Sequence, residues 1–388
     1  MSAGNAYRGA RIFDGQDWHD DCALLVSGGR VQGIRAGAEV PADHEIVALA
    51  GGLLVPGFVD LQVNGGGGVL LNDAPTLEGI RTICKAHAPF GTTALLPTLI
   101  TDTPEVTSAA IEAGRAAAEA GIPGFLGLHL EGPHLSLSRS GAHAPALIRP
   151  MEDRDQAALI AAADALPVLL TTVSPETVAS ARISALAAAG VKVSLGHSDA
   201  SFGVAAAAQA AGATLVTHLF NAMSPLAHRD PGLVGAALDS GAAYAGLIAD
   251  GVHVDRHAIA IALRAKKPPG RIFLVTDAMA TTGTDLAGFT LNGRRVRRQG
   301  GRLTLEDGTL AGSDLDMISA VRFVHHEMGL DLGEALRMAS LYPARAIGRG
   351  DDLGHLEEGA SASMAHVSDA LAIRAVWIEG NPVFGAVA

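Results

Sequence analysis

From Val59 onward the chain alternates between short apolar runs and alanine-rich stretches. The runs are VDLQVNG (59–65), TTALLPT (92–98), GFLGLHL (124–130), PVLLTTV (167–173), KVSLGHS (192–198), ATLVTHL (213–219), YAGLIAD (244–250) and RIFLVTD (271–277). A strand that is apolar on both faces is one covered from both sides, which is the condition of a parallel sheet. Helical stretches such as SPETVASARISALAAAG separate the runs. Eight strand–helix units predict an α/β fold, a (β/α)8 TIM-type barrel.

The pattern differs at both ends. Residues 5–55 read as short strands broken by glycine (GARIFDG, ALLVSGGRVQGIRAG, HEIVALAGGLLVPG), and the chain closes on two more, HLEEGASASMAHV and IRAVWIEGNPV. The economical arrangement is a small β-sandwich domain built from both termini, residues 1–56 and 350–388, around a barrel of residues 57–349. A glycine-rich, strand-like segment, GFTLNGRRVRRQGGRLTLEDGTLAG (288–312), predicts a β insertion around 284–312. Its basic run RRVRR (294–298) reads as a solvated face. The GGGG at 65–68 either cradles a phosphate by its backbone N–H groups or permits a tight turn after the first strand.

Composition narrows the function classes. The chain has 388 residues, is 48% hydrophobic and carries net charge −12. That balance excludes nucleic acid as the main partner, since phosphate backbones require clustered Lys and Arg. No apolar stretch approaches the roughly 20 residues of a membrane span, and the first residues lack the apolar segment of a signal peptide. Cys22 and Cys84 form no framework, so a reducing cytoplasm is the expected location.

In such barrels the chemistry sits at the C-terminal ends of the strands. The polar residues falling there are Gln62 and Asn64, Glu131 and His134, His197, His218, Asp250 and His253, and Asp277. Glu131, His197, His218 and Asp277 each follow directly on an apolar run, at separations of 66, 21 and 59 residues, which rules out a local zinc ribbon. Two imidazoles and a carboxylate with an open position make a hydrolytic metal site. A further carboxylate, Asp277, suits proton transfer from water to a leaving amine. His143, in the loop 135–145, either faces a reacting carbonyl or is exposed. The loop NAMSPLAHRDPG (221–232) is either solvated or, through Arg229, a phosphate clamp.

At these residues the chain resembles the amidohydrolase superfamily and, within it, the N-acetylglucosamine-6-phosphate deacetylases. The resemblance rests on PGFVDLQVNGGGGV (56–69), HLEGPHLS (129–136), GAHAP (141–145), GHSDA (196–200), THLFNAMSPLAHRDPGLVGAAL (217–238), ADGVHV (249–254), VTDAM (275–279) and DGTLAGSDLDM (307–317), and so spans nearly the whole chain. It implies Glu131, His197 and His218 as ligands of one divalent metal ion, zinc or iron. It implies Asp277 as the general base and His143 as the group that hydrogen-bonds the acetamide carbonyl. Asn221, Ala222, His253, Gln62, and Leu310 and Gly312 of the LAGS segment become phosphosugar contacts. Arg229 becomes a phosphate-binding residue contributed across a homodimer. The two-metal amidohydrolases carry His-x-His in the first strand; Gln62-Val63-Asn64 stands there instead, and amides are poor ligands beside imidazoles. A single metal is therefore expected. The galactosamine epimer as substrate, and a non-catalytic phosphosugar-binding protein on the same fold, are the alternatives.

Overall fold

A computed structural model describes residues 4–385. The eight predicted runs form eight strands: Phe58–Val63 (β1), Thr92–Ile100 (β2), Leu128–Glu131 (β3), Leu169–Val173 (β4), Lys192–Leu195 (β5), Ala213–Val216 (β6), Tyr244–Leu247 (β7) and Ile272–Leu274 (β8). They join into one sheet in sequence order, and the pairings from β2 to β8 are parallel. The sheet closes on itself beyond β8, where Asp277 N–H donates to the Gln62 carbonyl (3.0 Å) and Asn64 N–H to that of Ala278 (2.8 Å). Every position of β1 and β2 is buried. That explains why the runs are mostly apolar, because one face meets the barrel interior and the other meets the helices.

The connecting helices are Leu77–His87 (α1), Pro104–Glu119 (α2), Asp153–Ala165 (α3), Ser180–Ala188 (α4), Phe202–Ala210 (α5), Gly232–Asp239 (α6), Arg256–Ala265 (α7) and Met317–Arg322 (α8). In α2 the start is set by Thr103, whose hydroxyl accepts from Val106 N–H, with Pro104 in the first turn. Its buried stripe is Ala110, Ala113, Gly114 and Ala117. A Cβ on Gly114 would lie 2.6 Å from the Leu128 side chain. Small residues thus let the helix lie directly on β3, and the core of a chain with only 4% aromatic residues still closes.

By its contacts the chain divides into two compact units. One comprises the residues through Asp60, His87–Ala94 and those from Asp316 on; the other comprises Leu61–Ala86 and Leu95–Leu315. In the first unit, a sheet of Gly4–Arg8, Cys22–Ser27, Arg30–Ala36 and His44–Ala48 faces a second sheet. That second sheet takes Arg11–Phe13, Trp18–His19 and Leu53–Pro56 from the start of the chain and Met364–Val367, Ile373–Ile378 and Asn381–Phe384 from its end. Tyr7, Leu24 and Val26 of one meet Ile12, Leu54, Met364 and Trp377 of the other in a single apolar core. This is the sandwich drawn from both termini.

In the second unit, Gly288–Leu291, Arg294–Gln299, Arg302–Thr304 and Leu310–Ser313 form an antiparallel sheet. Its Leu291, Val296, Leu303 and Ala311 pack with Leu70, Ile100 and Met279. Gly65–Gly66 and Val69–Leu70 pair as a hairpin whose turn places Gly67 and Gly68 at positive φ, so the four glycines form a tight turn. No helix among the described residues is long and apolar enough to cross a membrane.

Candidate active site

Three strand ends share an uncommon backbone. His197 (φ +48°), His218 (φ +26°) and Asp277 (φ +54°) all lie in the left-handed region that side-chain-bearing residues avoid. The conformation costs on the order of 1–2 kcal/mol per residue. Each follows a strand anchored in the barrel, and the reversal of φ turns its side chain inward across the mouth. Strain repeated at equivalent positions marks a place where side-chain direction is worth more than backbone comfort.

The inward-turned groups meet at Glu131. Its Oε1 lies 3.1 Å from His197 Nε2 and 3.1 Å from His218 Nε2, and the two imidazole nitrogens are 3.0 Å apart. Three potential ligand atoms thus form a nearly equilateral triangle. For bonds of about 2.05 Å, ligand atoms are separated by about 2.9 Å in an octahedron and about 3.3 Å in a tetrahedron; the observed edges fall between. Burial alone would raise the Glu131 carboxyl, but its close contacts with the His197 and His218 imidazoles hold it well below the ordinary carboxylate range. Burial would likewise lower His218, yet the hydrogen bond and charge of Glu131 leave it raised.

A second grouping, Glu131 with His143 and His197, also brings potential ligand atoms within 4.8 Å of one another. The hydrogen bonds of the imidazoles separate the two sets. His197 Nδ1–H donates to the carbonyl of Arg139 (2.8 Å), which leaves a lone pair on Nε2 toward Glu131. His143 is reversed: its Nδ1 accepts from Thr101 N–H (3.3 Å) and lies 2.8 Å from the Thr101 hydroxyl. Burial foremost, then the charge of His197, lowers His143 to about 3, so the ring is neutral and its proton sits on Nε2. His143 therefore offers the site a donor, whereas His197 offers it a lone pair.

Asp277 is held from below. Its Oδ1 accepts from Asn64 Nδ2 (2.6 Å) and Gln62 Nε2 (3.2 Å), and Gln62 Nε2 also lies 3.2 Å from Glu131 Oε1. Burial first, then the charge of Glu131, raises the Asp277 carboxyl to about 6. Two amides of the first barrel strand thus tie the acid/base candidate to the ligand candidate.

These groups line a cavity of about 230 Å³ together with Asn64, Asn221, Ala222, His253, Leu310 and Gly312. His253 is aimed by Asp250, whose carboxylate accepts from its Nδ1 (2.6 Å). Gly312 has φ +65°, and a Cβ there would lie 2.5 Å from Met279 Sδ and 2.9 Å from the Asp277 carbonyl, so only glycine admits the strand so close to Asp277. Gln62, expected among the sugar contacts, does not line the cavity. Side chains two apart on a strand share a face, and Gln62 sits one step deeper than Asn64. His134, expected at the rim, turns away, with its Nδ1–H donating to the Arg149 carbonyl (3.1 Å) after the chain bends at Gly132. Arg229 is exposed on its loop and does not line the cavity. Sequence reasoning missed Thr101, whose signal was its place directly after the buried β2, and Arg139, which acts through a carbonyl that no side-chain pattern reveals.

The amidohydrolase family profile matches residues 53–383. An N-acetylgalactosamine-6-phosphate deacetylase of Shewanella sp. (strain ANA-3) is 43% identical over 97% of this chain and 95% of its own. An N-acetylglucosamine-6-phosphate deacetylase of Haemophilus influenzae is 35% identical over 91% of this chain and 92% of its own. The crystal structure of N-acetylglucosamine-6-phosphate deacetylase from Pasteurella multocida superimposes with a TM-score of 0.94 at 34% identity, covering 98% of this chain and 99% of that one.

Proposed function

The chain belongs to the amidohydrolase family, and we propose that it hydrolyses the acetamide of N-acetylglucosamine 6-phosphate, releasing glucosamine 6-phosphate and acetate in amino sugar breakdown. The observation that carries this reading is the triangle of Glu131, His197 and His218 beside an amide-held Asp277 and a proton-bearing His143 Nε2. Glu131, His197 and His218 would hold one divalent cation, zinc or iron by the nitrogen-rich donor set. When bound, the cation supplies Lewis acidity and makes water nucleophilic near neutral pH. His143 Nε2–H donates to the acetamide oxygen and stabilises the charge that develops there. Asp277, its Oδ1 fixed by Asn64 and Gln62, takes the proton of the attacking water and delivers it to the leaving nitrogen. Asn221, Ala222, His253, Leu310 and Gly312 hold the sugar. Two free cysteines suit a reducing cytoplasm.

The 43% identity to the Shewanella enzyme favours a second reading, the galactosamine epimer as preferred substrate. Acetate release from the two epimeric 6-phosphates, with elemental analysis of the same sample, tests both. We expect release from at least one and about one metal per chain; a metal-free protein inert on both would sink the assignment.

Arg229 is proposed to reach the neighbouring active site of a homodimer. Mixing Arg229→Ala with an Asp277→Asn chain should then restore part of the activity that each lacks alone. Mixed chains that stay inactive would place the site within one subunit.

A further inference from the structure

The proposed substrate carries a phosphate dianion, yet among the described residues neither lysine nor arginine lines the cavity. The walls carry Glu131 and Asp277, and the whole chain is at −12. A dianion approaching such a molecule is repelled unless the field is inverted locally.

The antiparallel sheet of the insertion borders the cavity and carries a surplus of arginine. Its Leu291, Leu310 and Gly312, with Thr309 of the turn before the last strand, line the cavity. From Gly288 to Asp314 it carries Arg294, Arg295, Arg297, Arg298 and Arg302 against Glu306, Asp307 and Asp314. Strand alternation divides the run RRVRR. Val296 is buried in the core under the sheet, and Arg294 and Arg298 share its face. Arg294 donates to the carbonyl of Ala142, itself a cavity residue, and Arg298 pairs with Asp314 at 2.8 Å. Arg295 and Arg297 point the other way and are exposed. None of the ion pairs among the described residues involves either. Charged residues often guard a sheet edge against further pairing, but this strand is internal to its sheet, so its charges are not needed there.

We propose that the basic strand Arg294–Gln299 is an electrostatic funnel, supplied by the same chain as the cavity, that draws the substrate's phosphate to the mouth. The inference rests on the phosphosugar reading above. The test is the double variant Arg295→Glu/Arg297→Glu, with kcat/KM measured against ionic strength for N-acetylglucosamine 6-phosphate and for neutral N-acetylglucosamine. Inorganic phosphate serves as a competing inhibitor. For the phosphorylated sugar, kcat/KM should fall about tenfold at low salt. The gap should close as the Debye length shrinks from about 30 Å at 0.01 M to a few ångströms near 1 M. The loss should lie in KM, inhibition by phosphate should weaken in parallel, and kcat and the neutral sugar should be unaffected. As control, Arg115→Glu/Arg264→Glu makes the same charge change late in α2 and α7, toward the opposite end of the barrel, and should change little. A wild-type salt profile in the Arg295/Arg297 variant, an equal loss on the neutral sugar, or an equal effect of the control pair would each overturn the funnel. Wild-type protein that releases no acetate from either phosphorylated epimer would instead overturn the reading beneath it.

Discussion

Asp277→Asn should fold, bind metal and substrate, and lose about 10²–10⁴-fold in kcat, the range for removing a positioned acid/base group. The substitution keeps an oxygen that can accept from Asn64 and Gln62, so the geometry is preserved while the proton acceptor is gone. The pH dependence follows from the raised carboxyl. The base works only when ionised, so wild-type kcat should fall as pH drops through the Asp277 pKa. That pKa is about 6 without a cation, and a positive charge beside Glu131 moves it lower. The Asp277→Asn variant should lack this acidic limb. Stability gives a second readout. A carboxyl raised in the folded state destabilises it progressively as pH climbs from the unfolded value through about 6, by on the order of 3 kcal/mol in the metal-free protein at neutral pH. The amide removes that cost, so the metal-free variant should melt no lower than wild type at pH 8. Near-wild-type turnover would remove Asp277 from the chemistry, and a collapse in thermal stability would assign it a structural role instead.

Strand ends are legible because a barrel imposes two rules at once. Strands covered on both faces read as uninterrupted apolar runs, and a polar residue directly after such a run has nowhere to be except the rim. That places Glu131, His197, His218 and Asp277 together across more than a hundred residues of chain. The rule fails where the chain turns sharply: His134 follows the same strand as Glu131, but the bend at Gly132 sends it to Arg149. It also fails for depth. Gln62 and Asn64 share a strand face, and only the closed barrel shows that one step separates a buried tie from a cavity wall. From its charge alone the basic run RRVRR reads as a solvated face. Arg295 and Arg297 are solvated, but Arg294 reaches back to Ala142, and that contact depends on how the insertion folds over the barrel. Charge shows on a sequence, whereas the field it makes depends on what it sits above.

Removing the metal should abolish turnover reversibly, and the ligand set decides which substitutions do so permanently. In Glu131→Gln the only anionic corner of the triangle is lost, so the protein should purify without stoichiometric metal and remain inactive at any practical metal concentration. His218→Gln should do the same. His143→Gln should instead retain metal and lose turnover, because the His143 Nδ1 already accepts from Thr101 and its other nitrogen carries a proton. That contrast separates the set with His218 from the set with His143, both of which are geometrically compact. The metal-free state must also manage two imidazole nitrogens 3.0 Å apart, each aimed at the other and at one carboxylate oxygen. Two lone pairs at that distance repel, and the hydrogen bond and charge of Glu131 raise His218, so without a cation a proton on His218 is expected there. Metal binding then displaces that proton, and in the acidic range the affinity should weaken by about tenfold per pH unit. Thermal unfolding follows by mass action: metal at about 100 times its dissociation constant adds about 2.7 kcal/mol. Chelation should therefore lower the melting temperature of wild type and of His143→Gln, and leave Glu131→Gln unmoved. Full metal content in Glu131→Gln, or its loss in His143→Gln, would reassign the ligands.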